Sequence, residues 1–450
     1  MNQQQSPAIT QVVRIGLPVA VLIYYVSAAL GFEYTPDSTY FSLQCARDLA
    51  TGAGLQVPQG WVGAGYPNPL WTLLIAAGHV FGLDYLLTAK ILSLILGSTA
   101  IMLSYFVAHE ILRDHMLAFL AVLVIGLQSW FLQVAPSGNG LPLVLCLTLA
   151  SLLFLLRNEY LLSAICAGMA TLVAWELFGL MALLWFDITI NTKDRIQGTR
   201  IARGCLLAFV ATLLPWILGA LYASKPFLPE LLPAGDGGTA ALLGKTGFLL
   251  LVGFAVAGIV LLARSGAAGR ERMRNHYSLW FWMLIMGLAS LQGPEILPYL
   301  VLPLLVIYAF YGLQQIGERF VREELRYTLL IAVAGVFLLV NQLTYTLEAK
   351  PRMAVRVERE QHLTAIASWL HQYLPEGASV SARETGLLGY LSGREILPEH
   401  RVLPNQSDFV VAVEQPSDEY VITFAPEEQP ALQPGNVDAR IVVWRKNTVQ

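Results

Sequence analysis

From Val12 to Tyr345 the chain is a succession of apolar runs, many of them close to the roughly 20 residues an α-helix needs to cross a hydrocarbon core about 30 Å thick. A backbone in lipid must satisfy every N–H and C=O internally, so such runs admit a bundle of spanning helices and little else. The 450 residues are 56% hydrophobic and 13% charged, with a mean hydropathy of +0.57, which no ordinary soluble domain of this size shows. After Lys350 the chain becomes charged, Pro-rich and short-runned. The reading is a polytopic α-helical membrane domain over 1–349, followed by a soluble α/β domain over 350–450.

A net charge of -3 provides no field to collect phosphates, which removes nucleic acid as a partner. Cys45, Cys146, Cys166 and Cys205 lack metal spacing and predict no disulfide framework. The segment up to Leu30 has no small-residue cleavage site and reads as an uncleaved first span. With it, about eleven spans are expected: 12–31, 85–108, 116–135, 140–156, 159–175, 177–190, 204–223, 244–263, 277–291, 296–313 and 327–346.

Basic residues orient them. One set of alternate connections holds Arg113, Arg157, the group from Lys193 to Arg203, the group from Arg264 to Arg274, and Arg319 to Arg326. The short members of the other set, at Ser137, Trp175 and Gln292, carry no Lys or Arg, and PFLPELLPAGDGG is preceded only by Lys225. The basic set is expected to be cytoplasmic. This places the loop 32–84 and the C-terminal domain on the periplasmic, extracytoplasmic side of a bacterial inner membrane. The apolar stretch from Pro69 to Leu83 would break the alternation if it spanned. It is expected to be interfacial or re-entrant, anchored by Trp61, Tyr66 and Trp71, with His79 buried.

The loop 32–84 is the most polar stretch beside the spans. Thr39 to Ala50 has helical spacing, and Pro36 with Asp37 forms a plausible cap, so Asp37 reads either as an N-cap or as a reactive carboxylate. Arg47 lies ten residues on, about 15 Å along a helix, so the two would flank a pocket without pairing. Its other reading is a snorkelling cation. Glu176, Glu295, Glu33 and His79 are ionisable groups beside spans, where hydrogen bonding or exposure competes with a substrate role.

In this loop the sequence resembles the integral-membrane glycosyltransferases of the GT-C superfamily, whose first external loop typically runs DD-x-Y, an ARNLA-like helix, G-x-GL and YTNPLW before an LLGLD turn. The matching elements, in order, are PDSTYF, Ala46-Arg47-Asp48-Leu49-Ala50, Gly52-Ala53-Gly54-Leu55, Gly65-Tyr66-Pro67-Asn68-Pro69-Leu70-Trp71 and Phe81-Gly82-Leu83-Asp84. LQGPEILPYLVLPLLVIYA and LPEGASVSARETGLLGYLSGREIL resemble the family's late external turn and soluble tail. The resemblance implies an inverting transferase that takes its sugar from a polyprenyl phosphate within the bilayer and delivers it to an extracytoplasmic glycan, lipid or protein.

On that reading Asp37 is the base for the acceptor hydroxyl. Arg47, Tyr66, Asn68, Lys225, Glu176 and Glu295 are expected to bind substrate, with Arg47 and Lys225 as the outward cations for the phosphate. A divalent ion, Mg or Mn, is a conceivable cofactor, but one loop acid ligates it poorly unless substrate phosphate or Glu176 completes the set. The sequence departs from the family pattern at Ser38, where a second acid is usual. It departs again at Ser137-Gly138-Asn139-Gly140 and at Trp175-Glu176-Leu177-Phe178-Gly179, where relatives carry GLET-like and Arg-Pro-Glu-Gly-like turns. Those losses keep open a non-catalytic subunit with the same scaffold, bound to a membrane-protein partner. A secondary transporter would need inverted repeats or mid-span charges, and the sequence presents neither persuasively.

In the tail, Leu363, Ile366, Ala367 and Leu370 with Trp369 form a helical stripe ended by Pro375 and Gly377. β-rich runs follow at 379–382, 409–413, 420–424 and 441–444. No Gly-rich phosphate loop or nucleophile elbow accompanies them. A lid, an acceptor- or partner-docking module and a stabilising cap all remain open.

Overall fold

The computed structural model describes residues 34–54, 68–192, 194–222, 248–264, 276–289, 296–375, 378–398, 409–412, 420–424 and 442–446, with residues 19, 22, 25 and 26. Most of the expected first span, Trp61, Glu33, and the candidates Tyr66, Lys225 and Glu295 lie outside the described residues.

Short polar residues start the apolar helices. Asp84 Oδ1 accepts from the N–H groups of Leu86 (2.9 Å) and Leu87 (3.0 Å) to open α3, Tyr85–Leu112. Asp114 does the same for Met116 (2.8 Å) and Leu117 (3.0 Å) at the head of α4, His115–Gly126. Each such cap stabilises its helix by about 1 kcal/mol. Before them come α1, Asp37–Ala50, and α2, Pro69–Val80. After α4 a short α5, Ser129–Val134, splits the single run expected over 116–135. Then follow α6 (Leu141–Leu156), α7 (Tyr160–Thr171), α8 (Gly179–Asn191), α9 (Arg195–Tyr222), α10 (Phe248–Ala263), α11 (Tyr277–Ala289), α12 (Ile296–Phe320) and α13 (Glu323–Thr344).

Four described helices are long and apolar enough to cross a membrane: Tyr85–Leu112, Arg195–Gly219, Tyr299–Phe320 and Leu325–Tyr373. Six shorter apolar helices accompany them. The helices pack closely where glycine permits. A Cβ on Gly312 of α12 would lie 1.9 Å from the Phe254 carbonyl oxygen of α10, so the two backbones touch. The four cysteines are free and buried, as the scattered spacing predicts.

α13 does not stop at the membrane domain. A π-helical turn, Tyr345–Ala349, carries it directly into α14, Lys350–Tyr373, so a 49-residue helix, Leu325–Tyr373, extends about 73 Å. The expected stripe of α14 is real: Leu363, Ile366, Ala367 and Leu370 are buried. Beyond it lies a mixed five-stranded sheet of order β2-β1-β3-β5-β4. β1 is Val380–Ala382, β2 Ile396–Pro398, β3 Phe409–Ala412, β4 Tyr420–Phe424 and β5 Val442–Lys446. Val380 pairs with Ile396 and with Phe409 in parallel, whereas β5 is antiparallel to both β3 and β4. Parallel neighbours need a crossover, and between β1 and β2 it is α15, Thr385–Ser392. Neither α15 nor β2 is anticipated by the sequence reading.

Candidate functional site

α1 begins at Asp37 because Pro36 holds extended backbone at the N-cap (φ -63°, ψ 150°) and Asp37 places a negative charge in the first turn. Pro36 makes no side-chain cap, and Asp37 caps a different helix. Its Oδ1 accepts from Leu387 N–H at 2.7 Å and its Oδ2 from Gly386 N–H at 3.1 Å. These are the second and third residues of α15, whose amides have no partner within that helix. The residue before α15, Glu384, provides no cap because its carboxylate is paired with Arg359. The strand-to-helix turn after β1 is the usual place for an anion at a helix N-terminus, and here the anion is Asp37.

Five further contacts seal the same interface. Glu360 of α14 accepts from the Tyr40 hydroxyl at 2.6 Å and from Thr35 N–H at 3.0 Å. Arg47 donates to the Tyr390 carbonyl at 3.1 Å and stacks 5.1 Å over the Tyr390 ring. Arg356 lies 5.6 Å over Tyr34. Asp37 and Arg47 do not pair, as the spacing predicts; both are bound to α15.

The Asp37 carboxyl is half-buried, and loss of water pushes its pKa up to about 6. The Leu387 and Gly386 amides oppose that rise, and the nearby Glu384 charge adds to it. Ser38, at the position of the family's second acid, is exposed.

The other described candidates occupy the same end of the bundle. Asn68 has left-handed backbone (φ 44°, ψ 64°), a conformation asparagine tolerates, and sets Pro69 at the start of α2 without a side-chain cap. Leu70 N–H donates to the Leu172 carbonyl at 3.4 Å, which joins α2 to the turn before Glu176. Glu176 is half-buried in the 3-10 turn Trp175–Phe178; burial raises its pKa, against its own backbone N–H.

Two expectations for the Pro69–Leu83 stretch are corrected. Trp71 is fully buried within the protein, packed against Gly140, and does not present its ring to a membrane interface. His79 is exposed, not buried, with Nδ1 3.2 Å from the Leu83 carbonyl and its ring stacked on Tyr85. Among the described residues no group of three His, Cys, Asp or Glu side chains could hold a metal ion.

A polar cavity of about 690 Å³ opens at the far end of α3, a helix about 42 Å long. Glu110, Asp114, Asp187, His276, Gln314 and Glu318 line it. Asp187, on the last turn of α8, accepts from Ser278 and from Asn191. These groups therefore gather at the end of α3 and not beside its middle.

The fold has solved counterparts. ArnT from Cupriavidus metallidurans bound to undecaprenyl phosphate superposes with a TM-score of 0.58 at 14% identity, over 97% of this chain and 98% of that one. This chain has the GT-C fold. The apo state of the same ArnT superposes on this chain almost equally, with a TM-score of 0.57 at 14% identity over 98% of both chains. An Archaeoglobus fulgidus oligosaccharyltransferase complex with Zn and sulfate gives 0.53 at 13% identity, over 84% of this chain and 62% of that one. No protein-family model matches the chain, and no curated protein does. The GT-C fold thus rests on tertiary structure and on the loop motifs. Several of those motifs now have structural reasons: in Phe81-Gly82-Leu83-Asp84, Gly82 turns the chain at φ +80° and Asp84 caps α3.

The structural partners of Asp37 lie 349 and 350 residues away in sequence and were beyond sequence reasoning. A weak local signal existed: in RETGLLGYL, Leu387, Leu388 and Leu391 have helical spacing after a β-like run.

Proposed function

We propose that this chain is an inverting glycosyltransferase that moves a sugar from a polyprenyl phosphate to an extracytoplasmic glycan, lipid or protein. The observation that carries the reading is the likeness, over nearly the whole of both chains, to an ArnT bound to undecaprenyl phosphate. In this reading the Asp37 carboxylate takes the proton of an acceptor hydroxyl. The freed oxygen attacks the anomeric carbon from the face opposite the phosphate, and the sugar–phosphate bond breaks with its electron pair leaving on the lipid phosphate. A carboxyl poised at about 6 suits a base working near neutral pH. Two amides occupy only half of its lone-pair sites, which leaves acceptor capacity for the hydroxyl. Arg47, Lys225, Tyr66, Asn68, Glu176 and Glu295 are the proposed substrate contacts. A Mg or Mn ion, if used, would draw its ligands largely from the donor phosphate. The loop 32–84 and the tail are assigned to the periplasmic side of a bacterial inner membrane, by the distribution of Arg and Lys.

A second reading is a non-catalytic subunit of a membrane complex. It is favoured by Asp37 being engaged in docking the tail while Ser38 replaces a second acid. Sugar transfer in proteoliposomes supplied with polyprenyl-phosphate sugars from a bacterial membrane separates the two. Transfer by the wild type, abolished in Asp37→Asn and Asp37→Ala while thermal melting and donor binding persist, sustains the transferase. No transfer by wild type, with stable co-purification of a partner complex, overturns it in favour of the subunit.

A further inference from the structure

Gly386 stands where only a glycine fits. A Cβ there would lie 2.4 Å from the Asp37 backbone oxygen and 2.9 Å and 3.1 Å from ring carbons of Phe41. The obstacle is backbone and a packed aromatic, neither of which can step aside as a flexible side chain would. Gly389, one turn on, differs: its added Cβ would press only on the flexible Gln44 Oε1 tip, at 3.3 Å, with the Arg394 carbonyl oxygen at an ordinary contact distance of 3.5 Å. The two helices therefore touch most closely at the point where the Gly386 and Leu387 amides reach the Asp37 carboxylate.

We infer that Gly386 is a positioning residue for Asp37, so that the docked tail helix α15 is a working part of the site and aims the carboxylate the reaction uses. This rests on the transferase reading of Asp37. An aspartate on the rim of a loop has two free torsions; two hydrogen bonds from one rigid helix end hold both its oxygens and fix the plane of the carboxyl. The glycine sets the approach, and the absence of a side chain at position 386 lets the amides do the aiming. Glu384 before α15 is the charged group that acts on Asp37 directly, and Arg356, Arg359 and Glu360 of α14 act, with Asp37, on the neighbouring Tyr34. Arg359 is bound to Glu384 and Glu360 to Tyr40 and Thr35, so the interface leaves Asp37 to the amides.

The test compares the full-length wild type, Gly386→Ala and Gly389→Ala in proteoliposomes. Three readouts are taken: kcat against KM for the donor lipid, the acid limb of the rate profile, and infrared titration of the Asp37 carboxyl against an Asp37→Asn reference. Gly386→Ala is expected to lower kcat by about a hundredfold with KM unchanged, and to move the carboxyl titration from about 6 toward the ordinary 3.8 as water reaches it. Gly389→Ala should match the wild type. Wild-type kcat and titration in Gly386→Ala, or equal losses in the two variants, would overturn the inference. Absence of transfer by the wild type would sink the transferase reading instead, and the infrared titration would still decide whether Gly386 sets the environment of Asp37.

Discussion

The Asp37 carboxylate receives the Leu387 amide at 2.7 Å, so the first residue of a membrane-flanking helix completes the N-terminus of a helix 350 residues away. A helix end buried at an interface needs partners for its amides, and a carboxylate is the strongest acceptor available. The cost of drying that carboxylate is what raises its pKa to about 6, and this makes tail docking sensitive to protons.

The sign follows from linkage. The docked state holds the Asp37 proton more tightly than the undocked state, whose aspartate titrates at the ordinary 3.8. The resulting stabilisation of docking is complete below about pH 4 and is lost as pH rises through about 6. Hydrogen exchange at 385–392, corrected for intrinsic rates, should therefore show protection that falls between about pH 4 and 6, the interval between the undocked and docked pKa values. In Asp37→Asn the protection should be flat across that window.

Glu360 ties α14 to the loop through Tyr40 and Thr35. Glu360→Ala should cost about 2–3 kcal/mol by leaving both donors without an acceptor, and Tyr40→Phe about 1–2 kcal/mol. In a double-mutant cycle read by thermal melting, the two losses should not add, because they share one bond. Full additivity would mean the hydrogen bond is not formed in solution.

Gly312→Ala separates intrinsic preference from packing. In an open helix the change would favour folding by about 1 kcal/mol. Here the new methyl meets the Phe254 carbonyl, so a net loss of about 1–3 kcal/mol is expected in detergent melting. A stabilised variant would show that α10 and α12 stand further apart.

Asp84→Ala and Asp114→Ala should each lower stability by about 1 kcal/mol through loss of a cap. Asp114 also accepts from the Tyr327 hydroxyl at 2.8 Å, so its variant should be the more damaged of the two. Equal melting temperatures for both would argue that the Tyr327 contact contributes nothing.

The sequence by itself determined that the chain is a bundle of apolar helices, where most of its described helices fall, and the helical spacing over 39–50. Those features depend on hydrophobic runs, periodicity and caps, which act within a few residues. The stripe at Leu363, Ile366, Ala367 and Leu370 was legible for the same reason. What Asp37 touches was decided only by the tertiary structure. An N-cap and a docking carboxylate look identical in sequence, because the donors that distinguish them come from α15. The burial of Trp71 and the exposure of His79 are of the same kind: an apolar stretch shows which residues can be buried, but only the packing of α2 against Gly140 and its neighbours selects which of them is.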